Sequence, residues 1–146
     1  MHSAVLCELI HASLDAGNVN AAATFAAELS TCNADNAFTR AWAEVSRARV
    51  HLALQQYAPA REAAQAAEAV YARIAPSRFL GTALRFKAEA LYGQGERYLA
   101  FRTIVQAVDA LKRVSSPRPL ASAYFVMAQI SGRRRYADMA QKLLRE

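Results

Sequence analysis

Alanines forty residues apart run through this chain. Ala48, Ala88 and Ala128 form one series, Ala60, Ala100 and Ala140 another, and Ala22 precedes the second series two residues out of phase. A small residue recurring at so long a period strongly restricts what the chain can fold into. It is the signature of stacked helical hairpins, in which one two-helix unit recurs and each unit needs its neighbours to bury an apolar face. Two helices approach to about 8 Å only where the residues at the crossing are small, and alanine is also the best helix former.

Composition agrees with this reading. Apolar residues make up 54% of the 146 positions, enough for one packed domain (1–146) and too many for a disordered chain. Five glycines and four prolines are too few for a turn-rich β fold. No uncharged apolar run reaches the roughly eighteen residues of a membrane span. The first ten residues carry Glu8 and no basic start, a poor secretory leader, so a cytoplasmic chain is expected.

Eight helices can be drawn. The first covers 3–16 and stops at Gly17. Asn18 or Asn20 caps the second, which ends near Thr31, with Ala22, Phe25, Ala26 and Leu29 inward. Asn33, Asp35 and Asn36 make a polar turn before a third helix at 37–56. Pro59 sits in the first turn of the fourth. The fifth covers 78–92, after Pro76 and Ser77 and before Gly93 and Gly95. The sixth covers 96–114, with Ala100, Ile104, Ala107, Val108 and Leu111 inward. Ser115, Ser116, Pro117 and Pro119 form a break before a seventh at 120–131, and the eighth starts at Arg134 after Gly132. The loops are short, which forces antiparallel hairpins. The repeat units are then about 3–34, 36–76, 77–116 and 117–146.

The segment 83–107 resembles a tetratricopeptide repeat. It has a large residue at Leu84, a small one at Ala88, a turn glycine at Gly95, and alanines at Ala100 and Ala107. The second unit matches through Ala48, Tyr57, Ala60 and Ala67, the first through Gly17, Ala22 and Leu29, and the fourth through Tyr124, Ala128 and Ala140. The spacing is longer than the usual repeat of about thirty-four residues. Glu44, Arg47 and Lys87 stand where the family favours apolar residues. Longer repeats of this kind are similar to those of bacterial transcriptional regulators, where they serve sensing or assembly. The resemblance implies an all-α, right-handed solenoid of about four antiparallel helical hairpins. It also implies a non-enzymatic module that binds a protein or peptide or drives oligomerisation. Another two-helix solenoid, such as the HEAT type, is the rival architecture.

In tetratricopeptide arrays the first helix of each pair lines a concave groove. Carried onto this chain, that implies Cys7 and His11 from the first helix and Trp42, Val45, Arg49 and Leu52 from the third. The fifth gives Thr82, Arg85, Glu89 and Tyr92, and the seventh gives Ser122, Phe125 and Gln129. Arg49 and Arg85 could grip carboxylates, and Trp42, Tyr92 and Phe125 could offer flat apolar contact. Plainer readings stand beside these. Trp42 shares its face with Phe38, Val45 and Leu52 and is also a core candidate. Arg85 and Glu89, four apart, could simply pair with each other. Arg49 interrupts an otherwise apolar stripe and is the best single candidate.

The net charge of +6 is unevenly spread. Residues 1–73 hold five basic and seven acidic groups, and residues 74–146 hold thirteen and five. That asymmetry points to an acidic protein or peptide as partner, with nucleic acid as the alternative. Arg133, Arg134 and Arg135 form a basic run at the start of the last helix, against its dipole. Without aromatic residues interleaved in the run, it is poor evidence for nucleic-acid binding.

No catalytic set, cofactor site or metal site is expected. Gly93-Gln94-Gly95 lacks the third glycine and the preceding strand of a dinucleotide site. His2, His11 and His51 lie far apart and read as helix surface or core edge. Cys7 and Cys32 read as buried small hydrophobes before a disulfide or metal ligands. The last helix carries Met139, Leu143 and Leu144 with nothing after it to cover them, so an end is expected to meet a second chain or a further segment.

Overall fold

The computed structural model describes residues 3–32, 36–74 and 77–145. These form eight α-helices, α1 (Ser3–Asp15), α2 (Val19–Leu29), α3 (Ala37–Ala53), α4 (Tyr57–Tyr71), α5 (Arg78–Gly93), α6 (Arg97–Arg113), α7 (Pro117–Ser131) and α8 (Arg134–Arg145), and no strand among the described residues. The expectations on Asn33, Asp35, Pro76 and His2 fall outside them.

Local chemistry sets the boundaries. Three helices start on a side-chain oxygen that accepts a backbone N–H three residues on: Asn18 from Ala21, Asn36 from Thr39 and Ser77 from Leu80. The turns α1–α2, α3–α4 and α5–α6 share one device. Gly17, Gln55 and Gly95 take left-handed φ values of 78°, 59° and 83°. The next N–H, of Asn18, Gln56 and Glu96, then reaches back five residues to Ser13, His51 and Leu91 at 2.8–2.9 Å.

Gln55 carries a Cβ where the two equivalent turns use glycine, which is strained. Gln55→Gly should therefore raise the unfolding free energy by up to about 1 kcal/mol. A thermal melt below that of the native protein would refute it.

Several expected boundaries need correction. Pro117 and Pro119 lie inside the first turn of α7 rather than before it. The N–H that proline lacks has no intrahelical partner there. Helix α3 ends at Ala53, short of Gln56, because Gln55 turns left-handed. Helix α2 ends at Leu29, where the hydroxyls of Ser30 and Thr31 bond back to Ala26 and Glu28 carbonyls.

Each helix packs on the next in sequence, and α1, α3, α5 and α7 touch in succession. The alanine series explains the close approaches. Ala22, Ala48, Ala60, Ala88, Ala100 and Ala140 are fully buried, and Ala128 is half-buried. Around the α5–α6 contact, Ala88, Ala100 and Ala107 share a core with Leu91, Ile104 and Leu111. Gly81 on α5 is packed so closely that a Cβ there would overlap the buried Leu111 side chain. The charged residues that depart from the repeat pattern are used between and along helices. Lys87 donates to Glu68 of α4 at 2.8 Å, and Arg47 pairs with Glu44.

Candidate functional site

A cavity of about 520 Å³ opens along α3, α5 and α7, with Leu14 of α1 and Val19 at the start of α2 also in its wall. Of the groove residues expected from sequence, Arg49, Arg85, Glu89, Tyr92 and Gln129 all line it. Trp42 and Phe125 do not. The Trp42 ring is half-buried between His11 (5.3 Å between ring centres) and Phe79 (5.2 Å). Phe125 is exposed outside the cavity. Of the wider stripe, Cys7 and Val45 are fully buried in the core, so helical spacing placed them too far outward. Cys7 is buried, which pushes its thiol pKa up, whereas Cys32 is only half-buried and its thiol donates to the Glu28 carbonyl at 3.6 Å.

Sequence reasoning missed Tyr57, Phe86 and Val126 in the wall. Tyr57 opens α4 and enters because Gly93 has no Cβ. A Cβ on Gly93 would occupy the Tyr57 ring. The signal for it was the glycine at the end of α5 rather than anything near Tyr57 itself.

Two guanidinium groups dominate the cavity's electrostatics, and they are held differently. Arg49 is committed: it donates to His11 Nδ1 at 2.9 Å and to the Asp15 carboxylate. With Nδ1 accepting, His11 carries its proton on Nε2 and donates to Ser46 Oγ at 3.1 Å. Ser46 in turn donates to the Trp42 carbonyl at 3.0 Å. This buried relay was not legible in the sequence, where His11 and Ser46 lie 35 apart. Burial first, and then the neighbouring Arg49, hold the His11 pKa down to about 4.

Arg85 is looser. Its guanidinium lies over the Phe86 ring at 4.5 Å, and the Glu89 carboxylate stands 3.9 Å away, too far for a hydrogen bond. The side chains of Arg85 and Glu89 are only 23% and 29% exposed. Burial lowers the Arg85 pKa against the pull of Glu89, and Arg49 lowers it further. Burial raises the Glu89 pKa, opposed by Arg85 and then Arg49. The cavity wall therefore holds two guanidinium groups and one carboxylate, with aromatic rings beside them, and the Asp15 carboxylate neutralises Arg49 from outside the wall. Arg85, with no hydrogen-bonded carboxylate and a partly desolvated setting, is the group there that an incoming anion would meet. Among the described residues no cluster of three or more His, Cys, Asp or Glu side chains could hold a metal ion. Among the same residues no helix is long and apolar enough to cross a membrane.

Arg133, Arg134 and Arg135 lie away from this cavity, exposed at the α7–α8 turn. No family model, no curated protein and no solved structure matches the chain.

Proposed function

We propose that this chain is a binding module that takes an acidic peptide or protein segment in the cavity along α3, α5 and α7. The observation that carries the reading is the convergence of Arg49, Arg85, Tyr92 and Gln129 on one open cavity. In this reading the eight helices are four antiparallel hairpins stacked as a right-handed solenoid of the tetratricopeptide type. The succession of contacts from α1 to α3, α5 and α7 supports it, as do the shared left-handed turns. A carboxylate of the ligand meets Arg85, whose present partner is distant, while Tyr57 and Tyr92 take an apolar neighbour. The role is that of a non-enzymatic interaction domain in the cytoplasm, of the sensing or assembly kind that the resemblance to bacterial transcriptional regulators implies.

The test is fluorescence anisotropy with a set of labelled Asp- and Glu-rich peptides, alongside Lys-rich controls. At least one acidic peptide should bind, and Arg85→Ala should weaken it about tenfold, the loss of one charge-assisted contact. The reading fails if no acidic peptide binds, or if Arg85→Ala binds as the native chain does.

The ends support self-association as a second role. The described residues of α1 and α2 with their turns carry three acidic residues and no Lys or Arg, while 117–145 carry six basic and one acidic. Val5 at one end, and Met139 and Leu144 at the other, are exposed apolar residues. Opposite charge on the two ends favours head-to-tail association of copies.

A further inference from the structure

A second groove, of about 690 Å³, lies between the first turn of α6, the end of α7 and the start of α8. Its charged lining is three arginines, Arg97, Arg133 and Arg135, and no carboxylate lines it. Tyr98, Phe101 and Tyr136 stand among them. The basic run, which has no aromatic residue within it and Tyr136 directly after it in the sequence, gains Tyr98 and Phe101 of α6 in space. Tyr98 is 74% exposed, an unusually open position for a large ring.

The groove is built rather than incidental. Arg97 donates from Nε to the Ile130 carbonyl at 2.9 Å, tying α6 to α7. Arg135 donates to the Tyr136 hydroxyl at 2.9 Å, with its guanidinium 4.8 Å from the centre of that ring. Arg102 lies 5.9 Å from the Tyr98 ring centre. Two helices, α6 and α8, begin at the groove, and neither has an acidic residue in its first turn. Arginines at a helix start oppose the dipole and cost stability. A phosphate would reverse that cost, because helix N-termini and arginines both favour it.

We infer that this groove binds single-stranded nucleic acid, with a base stacked on Tyr98 and backbone phosphates at Arg133 and Arg135. An acidic peptide would use the arginines but leave the exposed ring without a flat partner. A duplex would meet the charges but keep its bases stacked on one another. Of these three, only an open strand presents an aromatic face and a phosphate together. This inference is independent of the cavity along α3, α5 and α7.

The experiment uses a fluorescein-labelled oligo-dT of about fifteen nucleotides, long enough to cover such a site. Anisotropy is read at rising salt. Binding should be present at low salt and fall as salt rises. Arg133→Ala with Arg135→Ala should lower the steepness of that fall by between one and two, at about 0.7 for each lost phosphate contact on a single strand. Tyr98→Ala should weaken binding about tenfold with the slope unchanged, and its exposure predicts an unaltered melt. Arg73→Ala removes a charge from an exposed turn elsewhere and should change neither quantity. Four results would overturn the inference: no binding at low salt, a duplex binding as well as the strand, Arg73→Ala matching the groove variants, or Tyr98→Ala binding as the native chain does. Polyglutamate displacing the strand at equal charge concentration would assign the groove to acidic protein and overturn it too.

Discussion

Between pH 6.5 and about 4 the native protein should lose up to about 3 kcal/mol of folding stability through His11 alone. The sign follows from the lowered pKa. Above 6.5 neither the folded nor the unfolded chain protonates this ring, so His11 contributes no slope. As pH falls from 6.5 towards 4, the unfolded chain takes up a proton that the folded chain refuses. Burial and Arg49 are the reasons for the refusal, Arg85 adds to it, and Asp15 opposes it. Glu89 works the other way: its raised pKa makes the folded state the better proton holder just above the ordinary carboxylate value. The cleanest measurement is thus a difference between two proteins. His11→Gln keeps an acceptor for Arg49 and a donor for Ser46 without a group that titrates here. Denaturant titrations from pH 7 to 4 should show the native chain losing stability relative to His11→Gln. Parallel profiles would mean that the relay does not hold His11 neutral. In Arg49→Ala the ring should titrate at a higher pH, readable by NMR.

Leu111→Ala should cost about 2–5 kcal/mol, since Leu111 is fully buried in the α5–α6–α7 core. Gly81→Ala should cost about 1–3 kcal/mol for the opposite reason, because its new Cβ would overlap the Leu111 side chain. The double variant is the informative one. The added methyl enters the space that the removed side chain vacates, so the two losses should fall short of their sum by about 0.5–3 kcal/mol. Strict additivity in chemical denaturation would show that α5 and α6 do not meet closely at Gly81.

These two cases show what the sequence can and cannot convey. The alanine series was legible as a set of close helix contacts because a small side chain at a crossing is a local requirement. The helix starts at Asn36 and Ser77 were legible for the same reason: a cap acts within four residues. Five of the seven expected groove residues line one cavity because they recur at three- or four-residue intervals on odd-numbered helices. Trp42 and Phe125 share that spacing and still lie elsewhere, since a few tens of degrees of helix rotation separate a wall from a core or an outer face. The His11–Ser46 relay, the entry of Tyr57 opposite Gly93, and the approach of Tyr98 and Phe101 to Arg133 and Arg135 depend on residues more than thirty apart. No period in the chain announces them.

Among the described residues no helix touches another more than two places away along the chain. Cooperativity in such a row is handed from neighbour to neighbour rather than shared by the whole. Fraying that starts at α8 can stop at α6, and a disturbance at α1 reaches α7 only by relay. The two grooves, one centred on α5 and the other at the α8 end, share Ile130 of α7 in their walls, so filling one can reach the other through that side chain. A truncation at one terminus would spare the machinery near the other.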